Sequence, residues 1–181
     1  MQITTARLVL RPFRLGDRRA NAEIFADSDV RRFSLGILGA QAANERVERS
    51  ISEYKRLGYG MLAVEDKRDG TFIGTLGLTG LGPSLRDAIP SRPELQIAWQ
   101  LAKRVWGKGL ATEGAQAVLE YAFHVLRKPD VVAITAQINM PSRRVMEKIG
   151  MVHQPTEDFL HPEMPSGHRL RPHVLYRVAR C

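Results

Sequence analysis

Arg104-Val-Trp-Gly-Lys-Gly-Leu-Ala111 is the stretch from which the fold of this chain is best worked out. The run before it, Leu95-Gln-Ile-Ala-Trp-Gln-Leu101, is typical of a strand, and residues 110–126 have the pattern of a long helix. Gly107 and Gly109 therefore fall on a strand-to-helix turn, where the missing Cβ lets backbone N–H groups face inward. The free N–H groups and the dipole of the helix add to this effect, so the stretch predicts a phosphate-binding turn.

Two well-known phosphate-binding motifs do not fit this turn. A nucleotide P-loop needs the pattern Gly-x4-Gly-Lys-Ser/Thr, but Lys108 is followed by Gly109. A dinucleotide-binding turn needs a third glycine three residues after the second, and Thr112 stands there. The pattern that remains is Arg-x-x-Gly-x-Gly, which begins at Arg104.

The composition of the chain indicates its general class. With 181 residues, of which 44% are hydrophobic and 25% charged, the chain is predicted to form one globular domain, residues 1–181. A net charge of +8 favours an anionic partner and leaves nucleic acid and a phosphorylated cofactor both open. Cys181 is the single cysteine, so no internal disulfide can form, and no apolar run reaches the length of a membrane span or signal peptide. A cytoplasmic location is therefore expected.

Hydrophobic periodicity predicts strands and helices along the whole chain. The predicted strands cover residues 7–12, 61–65, 72–79, 94–101, 131–138 and 173–179. The predicted helices cover residues 16–26, 41–57, 110–126 and 139–149. Segments 80–93 and 154–171, which are rich in glycine and proline, are predicted loops, and the first is either a plain connector or the rim of a substrate site. The strand–helix–strand unit at 94–138 should place two parallel strands side by side.

An ordered set of motifs resembles one known family. The motifs are Thr5-Ala-Arg-Leu-Val-Leu-Arg-Pro12, Trp106-Gly-Lys-Gly-Leu-Ala-Thr-Glu113, Asn139-Met-Pro-Ser142, Glu147-Lys-Ile-Gly-Met151, His161-Pro and Gly167-His-Arg-Leu-Arg-Pro-His-Val-Leu-Tyr176. Together they resemble the GNAT superfamily of acyl-CoA-dependent N-acetyltransferases, close to the branch of the ribosomal-protein alanine acetyltransferases. The resemblance extends over nearly the whole chain.

The resemblance implies an α/β (α+β) fold with a mixed, mostly antiparallel sheet of about six to seven strands and about four helices. The strands at 95–101 and 131–138 should separate in a V that holds the pantetheine arm of acetyl-CoA. The implied cofactor-binding residues are Ile97, Ala98, Trp99, Arg104, Val105, Trp106, Gly107, Lys108, Gly109, Leu110, Ala111, Thr112, Asn139, Ser142 and Arg143. Five cations are candidates for charges beside the phosphates, and the alternative for each is an ordinary solvated surface cation: Lys103, Arg104, Lys108, Arg143 and Arg144.

Four residues are the candidates for the acetyl-transfer chemistry. The resemblance implies that Ser142 protonates the leaving thiolate; the alternative is a first-turn residue that satisfies helix N–H groups. It also implies that Asn139 contacts the pantetheine arm or activates the amine; the alternative is a helix cap, and both roles could hold together. Gln96 occupies the position where many relatives carry a glutamate base, and it cannot take a proton. Glu94 could act through water or be a surface carboxylate, and an acceptor α-amine with a pKa near 8 would need no strong base.

These observations predict an acetyl-CoA-dependent N-acetyltransferase with no metal. The acceptor is expected to be a primary amine, either a protein N-terminus or a small molecule, and a homodimer is left open. The alternative is a non-catalytic acyl-CoA-binding protein or sensor, which Gln96 favours. A nucleic-acid binder is disfavoured because aromatic and basic residues are not interleaved, and the spacing of His161, His168 and His173 fits no usual metal site.

Overall fold

The computed structural model describes residues 2–180, so the thiol predicted at Cys181 lies outside the described residues. The strands are β1 Ile3–Thr4, β2 Leu8–Arg11, β3 Met61–Asp66, β4 Phe72–Gly80, β5 Leu95–Leu101, β6 Asp130–Ala136, β7 Val152–His153, β8 Phe159–Leu160 and β9 Pro172–Ala179. The helices are α1 Arg18–Phe25, α2 Ala40–Leu57, α3 Pro83–Asp87, α4 Leu110–His124 and α5 Met140–Lys148. Short 3-10 turns lie at Leu15–Asp17, Lys103–Val105 and Pro155–Glu157.

The strands make a mixed, mostly antiparallel sheet, as predicted. Within the described residues β5 and β6 pair in parallel, and the other pairs with a described register are antiparallel. Six of the strands are longer than two residues, and four of the five helices span eight residues or more. The α+β fold class with about four helices is therefore confirmed.

The chain divides into two compact units. The first comprises the residues up to Leu78 together with Ala98–Val118, and the second comprises Thr79–Ile97 together with the residues from Leu119 onward. Strand β5 and helix α4 each contribute to both units. The prediction of one domain over residues 1–181 stays a prediction.

In the first unit, strands β1 to β4 form an antiparallel succession on which the start of α4 packs closely. A Cβ built on Gly114 would lie 2.9 Å from Leu76 Cδ1 and 3.3 Å from Leu8 Cδ1. The absence of a side chain at Gly114 therefore lets α4 approach the sheet closely. Ala115 is fully buried.

A charged cluster is also enclosed in the first unit. Arg11 on β2 donates to both carboxylate oxygens of Asp17, at 2.8 and 2.7 Å, and to Glu65 on β3 at 2.5 Å. Burial alone would raise the pKa of Asp17, but the Arg11 guanidinium and the Arg14 N–H outweigh it and hold the pKa below its usual value. The cluster fixes the turn before α1.

In the second unit, β6 lies between β5 and β9, and its apolar residues are buried on both faces as expected for a central strand. The prediction of a plain loop at residues 80–93 is wrong in part. Helix α3 forms there, and Leu81 and Ile89 pack with Val132, Phe159 and Leu175 in one core cluster. Two buried apolar residues thus hold a segment whose glycines and prolines had predicted a loop without regular structure.

Candidate functional site

The glycine turn joins the 3-10 turn at Lys103–Val105 to helix α4. Trp106 has extended backbone angles, and Gly107 and Gly109 have φ of +74° and +75°. Side-chain-bearing residues rarely adopt that left-handed conformation, which explains why both positions hold glycine. The predicted strand-to-helix turn is therefore present with the backbone conformation that its sequence indicated.

The turn leaves backbone donors available at the head of α4. The first helical bond inside the chain runs from the Glu113 N–H to the Gly109 carbonyl at 3.0 Å, so the N–H groups of Leu110, Ala111 and Thr112 have no helical acceptor. A Cβ built on Gly107 would meet no heavy atom within 4 Å. The turn is thus open on the glycine side, and its donors and helix dipole suit a diphosphate.

Arg7 and Glu113 hold this turn in place. The Arg7 guanidinium donates to the Glu113 carboxylate at 2.6 Å and to the Lys108 carbonyl at 2.8 Å. The same carboxylate accepts from the Arg7 N–H at 2.8 Å and from the Thr5 hydroxyl at 2.6 Å. Burial would raise the pKa of Glu113, but these hydrogen bonds outweigh it and lower the pKa. Fixing the Lys108 carbonyl fixes the orientation of the peptide that precedes Gly109.

Sequence reasoning missed this clamp between the N-terminal segment and α4. Thr5, Arg7 and Glu113 all belong to the motifs quoted above, but none of the three was assigned a role from the sequence.

The cations predicted near the phosphates differ in what they contact. Lys103 pairs with Asp29 at 2.5 Å, and Arg104 donates to the Phe72 carbonyl at 2.8 Å. The exposed Lys108 lies between the two glycines. Trp106 donates its indole N–H to the Leu101 carbonyl at 2.8 Å, and its ring lies 5.2 Å below the guanidinium carbon of Arg32.

Strand β5 carries the residues predicted around the thioester. The one described bridge between β5 and β6 joins Gln96 to Val132, and both residues lie in the second unit. The V between the two strands stays a prediction. Ile97 is buried, whereas Ala98 and Trp99 are half-buried. Glu94, the first residue of the predicted strand, is exposed and precedes β5 by one residue.

Asn139, Ser142 and Thr135 form a small polar network in the second unit. The Asn139 side chain caps α5, because its oxygen accepts from the Ser142 N–H at 3.4 Å. Its amide nitrogen donates to the Thr135 hydroxyl at 2.8 Å and to the Ser142 hydroxyl oxygen at 3.1 Å. Asn139 therefore acts as the helix cap that the sequence analysis considered. Ser142 Oγ accepts a hydrogen bond from the Asn139 amide and, among the described hydrogen bonds, accepts none from a helix N–H group. Their predicted catalytic and cofactor roles stay predictions.

Arg143 is directed partly into the protein. Its Nε donates to the Tyr176 hydroxyl at 3.1 Å, and its Nη1 donates to the Gln137 carbonyl at 3.1 Å. The Tyr176 hydroxyl in turn donates to Glu147 at 3.1 Å. The predicted phosphate contact of Arg143 stays a prediction, and Arg144 is exposed on α5.

The late histidines form a ring cluster in the second unit. The rings of His161 and His173 lie 4.7 Å apart, and Phe159 lies 5.6 Å from His173. Burial, with a smaller contribution from His161, lowers the pKa of His173 to about 4. Among residues 2–180 no group of three or more histidine, cysteine, aspartate or glutamate side chains is arranged to hold a metal ion. Within the same residues, no helix has the length and apolar character needed to cross a membrane.

Comparison with known protein families finds one domain profile that includes these elements. The profile of the acetyltransferase (GNAT) domain matches residues 7–152, which include the glycine turn, the Arg7–Glu113 clamp and the α5 cap. The uncharacterised N-acetyltransferase YnaD of Bacillus subtilis strain 168 is 29% identical over 181 residues and covers 98% of this chain and 96% of its own.

Solved structures agree on the fold. A GNAT-family acetyltransferase from Bacillus anthracis is similar with a TM-score of 0.79 and 25% identity, covering 99% of this chain and 98% of its own. RimL, a ribosomal L7/L12 alpha-N-protein acetyltransferase solved with coenzyme A, has a TM-score of 0.78, 99% and 98% coverage, and 16% identity. At that identity RimL supports the fold alone.

Proposed function

The chain belongs to the GNAT acetyltransferase family, and on this premise we propose that it moves an acetyl group from acetyl-CoA to a primary amine by direct attack within a ternary complex. The acceptor amine is either a protein N-terminus or a small molecule. The observation that carries the proposal is the open glycine turn at the head of α4, held by Arg7 and Glu113. A cytoplasmic location and a homodimer stay predictions.

The turn is the element proposed to bind the diphosphate of acetyl-CoA. The N–H groups around Gly107 and Gly109 and those of the first turn of α4 would bind its oxygens, and the exposed Lys108 would add a cation. When bound, acetyl-CoA supplies the thioester carbonyl that the amine attacks. Membership of the GNAT family supports this choice of ligand, and RimL, which has the same fold, was solved with coenzyme A.

The residues at and just before β5 indicate which class of acceptor amine can react, because they determine whether a base is present. Gln96 cannot remove a proton, and Glu94 is exposed before the strand. An α-amine with a pKa near 8 is about 10% neutral at pH 7, whereas a lysine amine near 10.4 is only about 0.04% neutral. The chain therefore suits acceptors that deprotonate without a strong base, and an N-terminal α-amine fits this requirement better than a lysine side chain.

Two measurements test this proposal together. Calorimetry should detect acetyl-CoA binding, and thiol release should be seen with peptides that carry a free α-amine. The matched control is the same peptide with a blocked N-terminus and one lysine, which should react far more slowly at pH 7. Failure to bind acetyl-CoA contradicts the proposal, and preference for the lysine peptide contradicts the acceptor argument.

The alternative of a CoA-binding sensor rests on Gln96, while membership of a family of acetyltransferases supports the enzyme. The two differ in one outcome. A sensor binds acetyl-CoA but releases no thiol with any amine in a broad panel.

A further inference from the structure

Three arginines gather on one surface of the first unit, at the loop between α1 and α2. The guanidinium carbons of Arg31 and Arg46 lie 5.7 and 5.0 Å from the centre of the Phe25 ring, which is itself 1% exposed. Arg49 follows Arg46 by three residues on α2, which places both on the same helix face. The buried ring therefore holds two of these guanidinium groups near each other.

The surface carries uncompensated positive charge. Partial burial lowers the pKa of Arg31 and of Arg46, and repulsion adds to this, from Arg46 on Arg31 and from Arg49 on Arg46. Within residues 2–180 none of the three arginines forms an ion pair. Glu45 and Glu53 stand one helical turn to either side of Arg49, yet neither comes within 4.0 Å of it.

The nearby carboxylates contact other groups. Asp27 accepts from the N–H of Asp29, Asp29 pairs with Lys103, Glu45 accepts from Gln41, and Glu48 pairs with Arg18. None of these acids forms an ion pair with the three arginines within residues 2–180, so a carboxylate of another polypeptide can pair with them.

Exposed aliphatic side chains border the arginines. Leu35 and Ile37, in the same loop, are 49% and 57% exposed. Arg31 donates to the Gly36 carbonyl at 3.0 Å, which fixes the loop against the charged surface. Apolar and cationic groups side by side suit a polypeptide that carries both acidic and aliphatic residues. A single-stranded nucleic acid would favour exposed rings for stacking, but the Phe25 ring is buried.

This surface is continuous with the glycine turn. Gln100, near the end of β5, donates to the Val30 carbonyl at 3.1 Å, and Arg32 covers Trp106, the residue before Gly107. A polypeptide lying on the loop would thus run beside the element proposed to bind acetyl-CoA.

We propose that Arg31, Arg46 and Arg49, with Leu35 and Ile37, form a docking surface for an acidic polypeptide segment of a protein acceptor. The proposal rests on the proposed function and narrows its acceptor to a protein with acidic residues near the acetylated N-terminus. Charge complementarity is the basis of recognition, so binding weakens as the salt concentration rises.

Binding is tested apart from catalysis. The probe is a labelled 12-residue peptide with a blocked N-terminus, five glutamates and two leucines, measured by fluorescence anisotropy at 50 and 300 mM salt. Its matched control peptide has glutamine at the five acidic positions. The variant Arg46→Gln/Arg49→Gln should bind the acidic peptide about tenfold more weakly. Arg19→Gln/Arg56→Gln loses the same charge at exposed positions on α1 and α2 and should bind like the wild type.

Kinetics then connect the surface to acetyl transfer. With free N-termini, the acidic peptide should have a kcat/KM about tenfold above that of its glutamine analogue. Arg46→Gln/Arg49→Gln should remove that preference and leave the KM for acetyl-CoA unchanged.

The possible results separate the two proposals. Equal binding of the two blocked peptides, or equal losses in both double variants, overturns the docking surface even if acetyl transfer is efficient. A 12-nucleotide single strand that displaces the acidic peptide at lower concentration also overturns it and assigns the surface to nucleic acid. If the blocked acidic peptide binds as expected but no amine is acetylated, the surface is supported and the proposed function fails.

Discussion

Gly107 allows the phosphate-binding role of the turn to be separated from folding. Its φ is +74°, and a Cβ there would meet no heavy atom within 4 Å. In Gly107→Ala the cost to folding is therefore the left-handed backbone alone, about 1 kcal/mol. The added methyl group projects into the space proposed for the diphosphate. We expect the Kd for acetyl-CoA to rise at least tenfold, a loss of about 1.4 kcal/mol of binding free energy.

Gly58 provides the matched control for this substitution. It ends α2 with a φ of +76°, and a Cβ there would also meet open space. Gly58→Ala should therefore lose the same free energy of unfolding and keep its affinity. Urea unfolding and calorimetry measure the two quantities. Wild-type affinity in Gly107→Ala, or an equal loss of affinity in Gly58→Ala, would refute the assignment of the turn to the diphosphate.

Three further predictions concern groups around this turn and in the second unit. Arg7→Met removes the hydrogen bond to the Lys108 carbonyl, so steady-state kinetics should show a KM for acetyl-CoA about fivefold higher; a change confined to the KM of the acceptor would contradict the clamp. Because the pKa of His173 is lowered to about 4, against about 6.5 when unfolded, the unfolded chain takes up this proton first, and about 3 kcal/mol of stability should be lost as the pH falls from 6.5 to 4. Urea unfolding of His173→Phe should show a much smaller loss over that range, whereas the exposed-site control His124→Gln should behave like the wild type. Asn139→Ala removes the α5 cap and should lower the free energy of unfolding by about 1 kcal/mol in urea titrations; an unchanged value would contradict the cap.

The features predicted well from the sequence are those set by neighbouring residues. The break predicted between the strands at 61–65 and 72–79 is the turn between β3 and β4, where Gly70 has a φ of +70°. The glycine turn before α4 and the glycine after α2 were also predicted, because a backbone position with a positive φ is occupied mainly by glycine. The predicted bounds of the longer strands and helices lie within a few residues of the observed ones, because the apolar residues of each element recur with a short period in the sequence.

The features that sequence reasoning missed depend on residues far apart in the chain. Arg7 and Glu113 are separated by 106 positions, and nothing local indicates that their charges meet. Arg143 was treated as a surface cation facing phosphate, but Tyr176, which is 33 positions away, accepts one of its hydrogen bonds. Pairings of this kind are decided by the packing of strands and helices, which periodicity does not specify.

The Asn139–Ser142 pair shows how a structural role can also prepare a chemical one. From the sequence, Ser142 was predicted either to donate a proton or to bond helix N–H groups, and Asn139 was predicted to cap α5, to serve the reaction, or to do both. In the structure the Asn139 amide donates to Ser142 Oγ at 3.1 Å, so the serine oxygen accepts and its own hydrogen stays available for donation. A hydroxyl that accepts one hydrogen bond is polarised and becomes a better donor in the next. Proton transfer from Ser142 stays a prediction, but the capping geometry does not argue against it, because the cap uses Asn139 Oδ1 and the Ser142 N–H and leaves the hydroxyl proton free.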